Sequence, residues 1–147
     1  MDKIHIIIPV FDGWKQTKTC LDALRASTYP SLEIIVVNHG SDEEIKEALP
    51  TQYPEILITR GEPSLWWAGA TNLGVRAAIS RGAKQIMLLN HDCYVEPDMI
   101  KIYGDLPKEL WDKQAGPNPK FTPRRFLEAE TSHYKGDHLT QVRQFLL

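Results

Sequence analysis

Apolar runs recur along the first two thirds of the chain, and segments with helical spacing separate them. Ile4-His5-Ile6-Ile7-Ile8 is nearly all β-branched, which suits a strand, and Pro9 ends it because it has no N–H to give a ladder. After the loop Val10 to Trp14, residues from about Lys15 to Ala26 put Cys20, Leu21, Ala23 and Leu24 on one helical face, and the helix stops before Tyr29-Pro30. Leu32 to Val37 predicts a second strand. Ser41 and Glu44 stand as a capping box for a short helix with Ile45, Ala48 and Leu49 as its stripe, and Pro50 is expected to end it. Ile56 to Ile58 predicts a third strand, and the Gly-, Pro- and Trp-rich stretch Arg60 to Ala68 predicts a shaped loop. From about Gly69 to Ser80 the small residues Ala70, Gly74, Ala77 and Ala78 predict a helix lying close to a sheet, closed by Gly82. Gln85 to Leu89 shows no alternation, so it is expected to be a strand buried on both faces. Pro97 suits the first turn of a last helix, with Met99, Ile100, Ile102 and Tyr103 as its buried side.

The alternation of strand and helix implies an α/β fold, a mostly parallel central sheet with helices on both faces and right-handed crossovers. Open sheets of this kind bind ligands at the carboxyl ends of their strands. From Trp111 onward the pattern weakens, with punctuation at Gly116 to Pro119 and Thr122 to Arg125, until the apolar, strand-like Val142 to Leu147. The organisation expected is therefore an α/β domain over residues 1–110 followed by an irregular segment over 111–147.

Charge narrows the partners. The net charge is -2, and residues 1–110 carry 11 Lys and Arg against 15 Asp and Glu. That balance gives no footprint for nucleic acid, and a polyphosphate bound here needs a metal ion or helix N-termini to offset repulsion. No apolar run is long enough for a membrane span, and Met1 to Val10 lacks the features of a signal peptide, so a cytoplasmic protein is expected. The two cysteines, Cys20 and Cys93, form no disulfide framework or zinc spacing.

Two polar turns carry the candidate chemistry, Asn38-His39-Gly40-Ser41-Asp42 after the second strand and Asn90-His91-Asp92 after the fourth. Asn and Asp are ordinary turn formers, but two such turns on neighbouring strands at one sheet edge describe a nucleotide crevice. The stretch from Ile6 to Asp98 resembles a family 2 glycosyltransferase of the GT-A fold, close to its rhamnosyltransferase-like members. The resemblance rests on Ile8-Pro9-Val10-Phe11, on Ser27 to Glu33 leading into Ile34-Ile35-Val36-Val37, and on Gly40-Ser41-Asp42. Gly69-Ala70-Thr71-Asn72-Leu73-Gly74 and Leu88-Leu89-Asn90-His91-Asp92 complete it, in this order and spacing.

The resemblance implies the Rossmann-like, nucleotide-binding half of a GT-A fold. It implies a UDP- or dTDP-linked sugar as donor, and Mn²⁺ or Mg²⁺ bridging its phosphates. Asp92 matches the last acid of the family's D-x-D-type motif and so the metal ligand, the hard oxygen donor that such a cation takes. Pro9, Val10 and Phe11 match the loop beside the nucleotide, with strand-end packing as the other reading. Asn38 and His39 stand where relatives usually have an Asp that reads the base, and His91 stands where they have an acid touching the ribose. Asn90 precedes it in the same motif. Asn72 matches a position at the start of the helix after the third strand. Trp66 and Trp67 can line the sugar pocket as flat faces or act as core and loop anchors.

A nucleotidyltransferase would want a Gly-rich, basic loop after the first strand, where Gly13 is the single glycine. A degenerate or partial nucleotide-binding domain without turnover is a third reading. The carboxylates after the last helix, Asp112, Glu128, Glu130 and Asp137, lie in the weakly patterned segment. A general base is therefore expected to be absent, as is robust sugar transfer by these 147 residues. The apolar end at Phe145-Leu146-Leu147 suggests self-association.

Overall fold

Burial is most complete on the first strand, β1 (Ile4–Val10), all seven residues of which are buried. The computed structural model describes residues 3–105. Three further strands follow, β2 (Leu32–Asn38), β3 (Leu57–Arg60) and β4 (Gln85–Leu88). Among the described residues they form one four-stranded sheet in the order β3-β2-β1-β4 with every pairing parallel. The helices are α1 (Trp14–Arg25), α2 (Glu43–Gln52), α3 (Trp66–Ser80) and α4 (Met99–Gly104), with a 3-10 turn at Pro63–Leu65 ahead of α3.

Alternation along β1 divides the core. Ile4, Ile6, Ile8 and Val10 cluster with Cys20, Leu21 and Leu24 of α1, Ile45 and Leu49 of α2 and Ile100 of α4. Ile7 faces the other way, toward α3. A Cβ on Gly74 would lie 2.4 Å from Ile7 Cγ2 and 2.9 Å from Val37 Cγ2, so the glycine lets the α3 backbone rest directly on β1 and β2. Helices thus cover both faces, as the sequence pattern predicts. Gly82 closes α3 with φ 81°, and its N–H bonds to Ile79 O.

Several boundaries differ from expectation. Asp42, not Ser41, caps α2, accepting from Glu44 N at 2.9 Å. Pro50 lies inside α2 and does not end it. It removes one hydrogen bond in the last turns, while Tyr53 N still reaches Leu49 O at 3.0 Å and carries the chain past it. The third helix begins at Trp66, three residues early, because the 3-10 turn and a left-handed Trp66 (φ 51°) redirect the chain there. β3 runs Leu57–Arg60, leaving Ile56 outside it and bringing Arg60 onto the sheet edge. Among the described residues β4 is an edge strand and all four of its residues are only half-buried; the fully buried strand is β1. Ile102 is exposed, whereas Ile100 carries the burial of α4. The segment 111–147 and the strand-like Val142 to Leu147 lie outside the described residues.

Candidate functional site

The carboxyl edge of the sheet is built from two turns of different construction. Asn38 closes β2 opposite Val10, and its side-chain Oδ1 accepts from Gly40 N at 3.3 Å, a local turn of the kind asparagine favours. His39 N donates to Val10 O at 2.9 Å, and Gly61 N to Asn38 O at 3.0 Å, so both neighbouring strands hold the turn. A Cβ on Gly40 would stand 1.4 Å from Phe11 O, a position no other residue can occupy without moving backbone. Arg60 Nη2 then donates to Gly40 O at 2.8 Å.

Asn90-His91-Asp92, beyond β4, is exposed at Asn90 and Asp92. Side chains from elsewhere tie it down. Trp67 Nε1 donates to Asn90 Oδ1 at 3.0 Å, and the Cys20 thiol approaches Asn90 O at 3.7 Å. The same oxygen accepts Cys93 N at 3.2 Å. Burial first, then Cys93 and Asp92 nearby, push the Cys20 thiol up to about 12.

These turns flank β1 rather than sit on adjacent strands, since β2 and β4 pair with opposite sides of it. The β1–β4 boundary is where strand order reverses, the place an open sheet offers a crevice. Phe11 opens at the end of β1, 41% exposed, with the His39 ring 5.3 Å away and tilted. Pro9 and Val10 are buried in the sheet, so of the three loop residues only Phe11 presents its side chain. His39 is 4% exposed and its Nδ1 has no partner. Burial, and His91 after it, hold the His39 pKa below the ordinary imidazole value. His91 Nε2 comes within 3.4 Å of where a Gly13 Cβ would be, which brings the second turn to the start of α1. Asn72 lies in α3 beyond its first turn, 6% exposed, and Trp66 and Trp67 stand out from the helix start at 59% and 40% exposure. Both tryptophans are therefore surface faces, not core.

Asp92 is an exposed hard-oxygen donor, and among the described residues no group of three His, Cys, Asp or Glu could hold a metal alone. That donor set fits a divalent ion completed by phosphate oxygens of a bound ligand. The sequence pattern predicts a loop at Arg60, whereas the structure makes it the last residue of β3. The signal available was its place one strand over from Asn38, at the same carboxyl edge.

Residues 5–103 match glycosyl transferase family 2, and the chain belongs to that family. It is 31% identical over 110 residues to an uncharacterized glycosyltransferase of Rickettsia prowazekii, the match covering 75% of this chain and 33% of that protein. It is 27% identical over 119 residues to glycosyltransferase GlyA of Streptococcus pneumoniae, covering 78% and 16%. The chain thus spans a third or less of the length of these relatives. Among solved structures, S. aureus TarS 1-349 superposes with a TM-score of 0.56 at 15% identity, covering 69% of this chain and 31% of that one. Its complex with UDP-GlcNAc superposes with a TM-score of 0.55 at 15% identity, covering 69% and 30%. The fold is that of GT-A glycosyltransferases. The matches are to the family at large and do not single out rhamnosyl donors. No helix among the described residues is long and apolar enough to cross a membrane.

Proposed function

We propose that this edge is the donor site of a glycosyltransferase using a nucleotide-diphosphate sugar, with UDP or dTDP as the nucleotide. The observation that carries this reading is the meeting of the Asn38 and Asn90 turns across the end of β1, with Phe11, His39 and His91 between them. The UDP-GlcNAc complex of the TarS neighbour supports it, as does the family. In this assignment Phe11, Asn38 and His39 border the base, and backbone at Pro9 and Val10 lies beneath them. Asn90 and His91 face the ribose and phosphates, and Trp67 and Asn72 flank the sugar. Asp92 would hold Mn²⁺ or Mg²⁺, which when bound supplies Lewis-acid stabilisation to the departing diphosphate. The Trp67–Asn90 hydrogen bond orients the turn that carries Asp92, and the buried Cys20 thiol approaches the same turn at Asn90 O.

Thermal unfolding with UDP or dTDP, with and without Mn²⁺, tests the assignment. A metal-dependent rise is expected, worth about 2.7 kcal/mol at a ligand concentration one hundred times Kd. Equal shifts in metal and in EDTA would remove Asp92 from its role, and no shift with either nucleotide would remove the donor site itself.

A further inference from the structure

Arg60 combines three features that no residue of the site so far shares. It is exposed at the carboxyl end of β3, and its guanidinium is anchored on Gly40 O at 2.8 Å. It also has no carboxylate partner among the described residues, whereas Lys3, Lys18, Arg25, Lys46 and Arg81 are each paired with one. A cation that is oriented by a neutral carbonyl keeps its charge and its remaining N–H donors for something else.

Position decides what that is. In the order β3-β2-β1-β4, Arg60 and the turn bearing Asp92 follow the two outermost of the described strands. Three strand spacings separate those strands by roughly 14 Å, too far for the anchored guanidinium to share phosphates held at Asp92. Its reach falls on the other end of a bound nucleotide. The turn beside it is buried, with Asn38 3% exposed and its Oδ1 accepting from Gly40 N, so Arg60 is an exposed donor standing over that turn. On the donor-site reading above, which this step requires, we infer that Arg60 is a base-specificity residue. It donates to the C4 carbonyl oxygen of uracil or thymine, the ring acceptor farthest from the phosphates. Cytosine carries an amino group at that place, and two donors then face each other.

Titration calorimetry with UDP, CDP and inorganic pyrophosphate, all with Mn²⁺, reads this directly on wild type, Arg60→Ala and Arg60→Lys. Wild type is expected to prefer UDP over CDP by about tenfold or more, the range of a hydrogen bond from a charged donor. Arg60→Ala should bring UDP down to the CDP level and leave pyrophosphate unchanged, and Arg60→Lys should recover part of the preference. If Arg60→Ala weakens UDP and CDP in the same ratio, Arg60 only props the Gly40 turn and the inference is overturned. Loss of pyrophosphate binding would overturn it in favour of a phosphate contact. If wild type binds pyrophosphate but no nucleotide, the donor-site reading fails, and this inference with it.

Discussion

The turn after β2 and the turn after β4 stand at the same carboxyl edge with opposite construction. Asn38 to Gly40 is buried, bonded to β1 on one side and to the residue after β3 on the other, and fitted so closely over Phe11 that only glycine enters. Asn90 to Asp92 is largely exposed and is held by one indole and one thiol reaching in from α3 and α1. The difference separates rigidity from access. A flat, invariant partner such as a base suits a preformed cradle, while an ion and its phosphates need an open carboxylate that can exchange water.

The contrast breaks most visibly at Gly40. Gly40→Ala should lose about 3 kcal/mol or more of stability, because the methyl meets the Phe11 backbone and not a movable side-chain tip; urea unfolding measures it. If the two turns are as different as described, Asp92→Ala shifts the same curve by about 0.5 kcal/mol or less, and Asn90→Ala by about 1 kcal/mol, the Trp67 hydrogen bond that it loses. Binding reverses the ranking. Asp92→Ala should abolish the difference between nucleotide shifts in Mn²⁺ and in EDTA, and a retained difference would move the metal elsewhere. Trp67→Phe keeps the ring and removes the 3.0 Å hydrogen bond to Asn90. Its expected cost is about 1 kcal/mol in stability, with a loosened Asn90 turn seen as a few-fold weaker Mn²⁺–UDP affinity.

The smallest effect concerns pH. His39 is held below its unfolded value of 6.5, so the unfolded chain takes up the proton first as pH falls. Stability is full above pH 6.5 and declines below it, toward the folded pKa. His39→Gln should flatten that decline, and an unchanged pH profile would mean that His39 does not carry it.

The strands were legible in their side-chain types. The Ile4 to Ile8 run and Leu32 to Val37 are read as strands because β-branched residues dominate them despite His5 and Glu33; β1 is buried throughout and runs on through Pro9 to Val10, and β2 is buried from Ile35 onward. Gln85 to Leu88 forms a strand as its pattern predicts, but among the described residues it lies at the sheet edge and is half-buried. Helix starts were harder. Asp42 and Ser41 both satisfy a capping pattern, and only the backbone decides between them. No local signal announces that Trp66 adopts a positive φ, since propensity argues against it. Of the site, the polar turns were visible as breaks in apolar runs. Arg60 was not, because its role comes from a neighbour across the sheet, twenty residues earlier in the chain.

The pairing of a silent thiol with a responsive one gives the molecule a chemical reporter. Cys20 is fully buried with its pKa pushed up to about 12, so it presents almost no thiolate to an alkylating reagent at neutral pH. Cys93, the other of the two cysteines, is half-buried and directly follows Asp92. A maleimide dye should therefore label a single position beside the proposed metal ligand without any engineering of the chain. Its labelling rate and its fluorescence then follow occupancy of that turn while no sugar is being transferred.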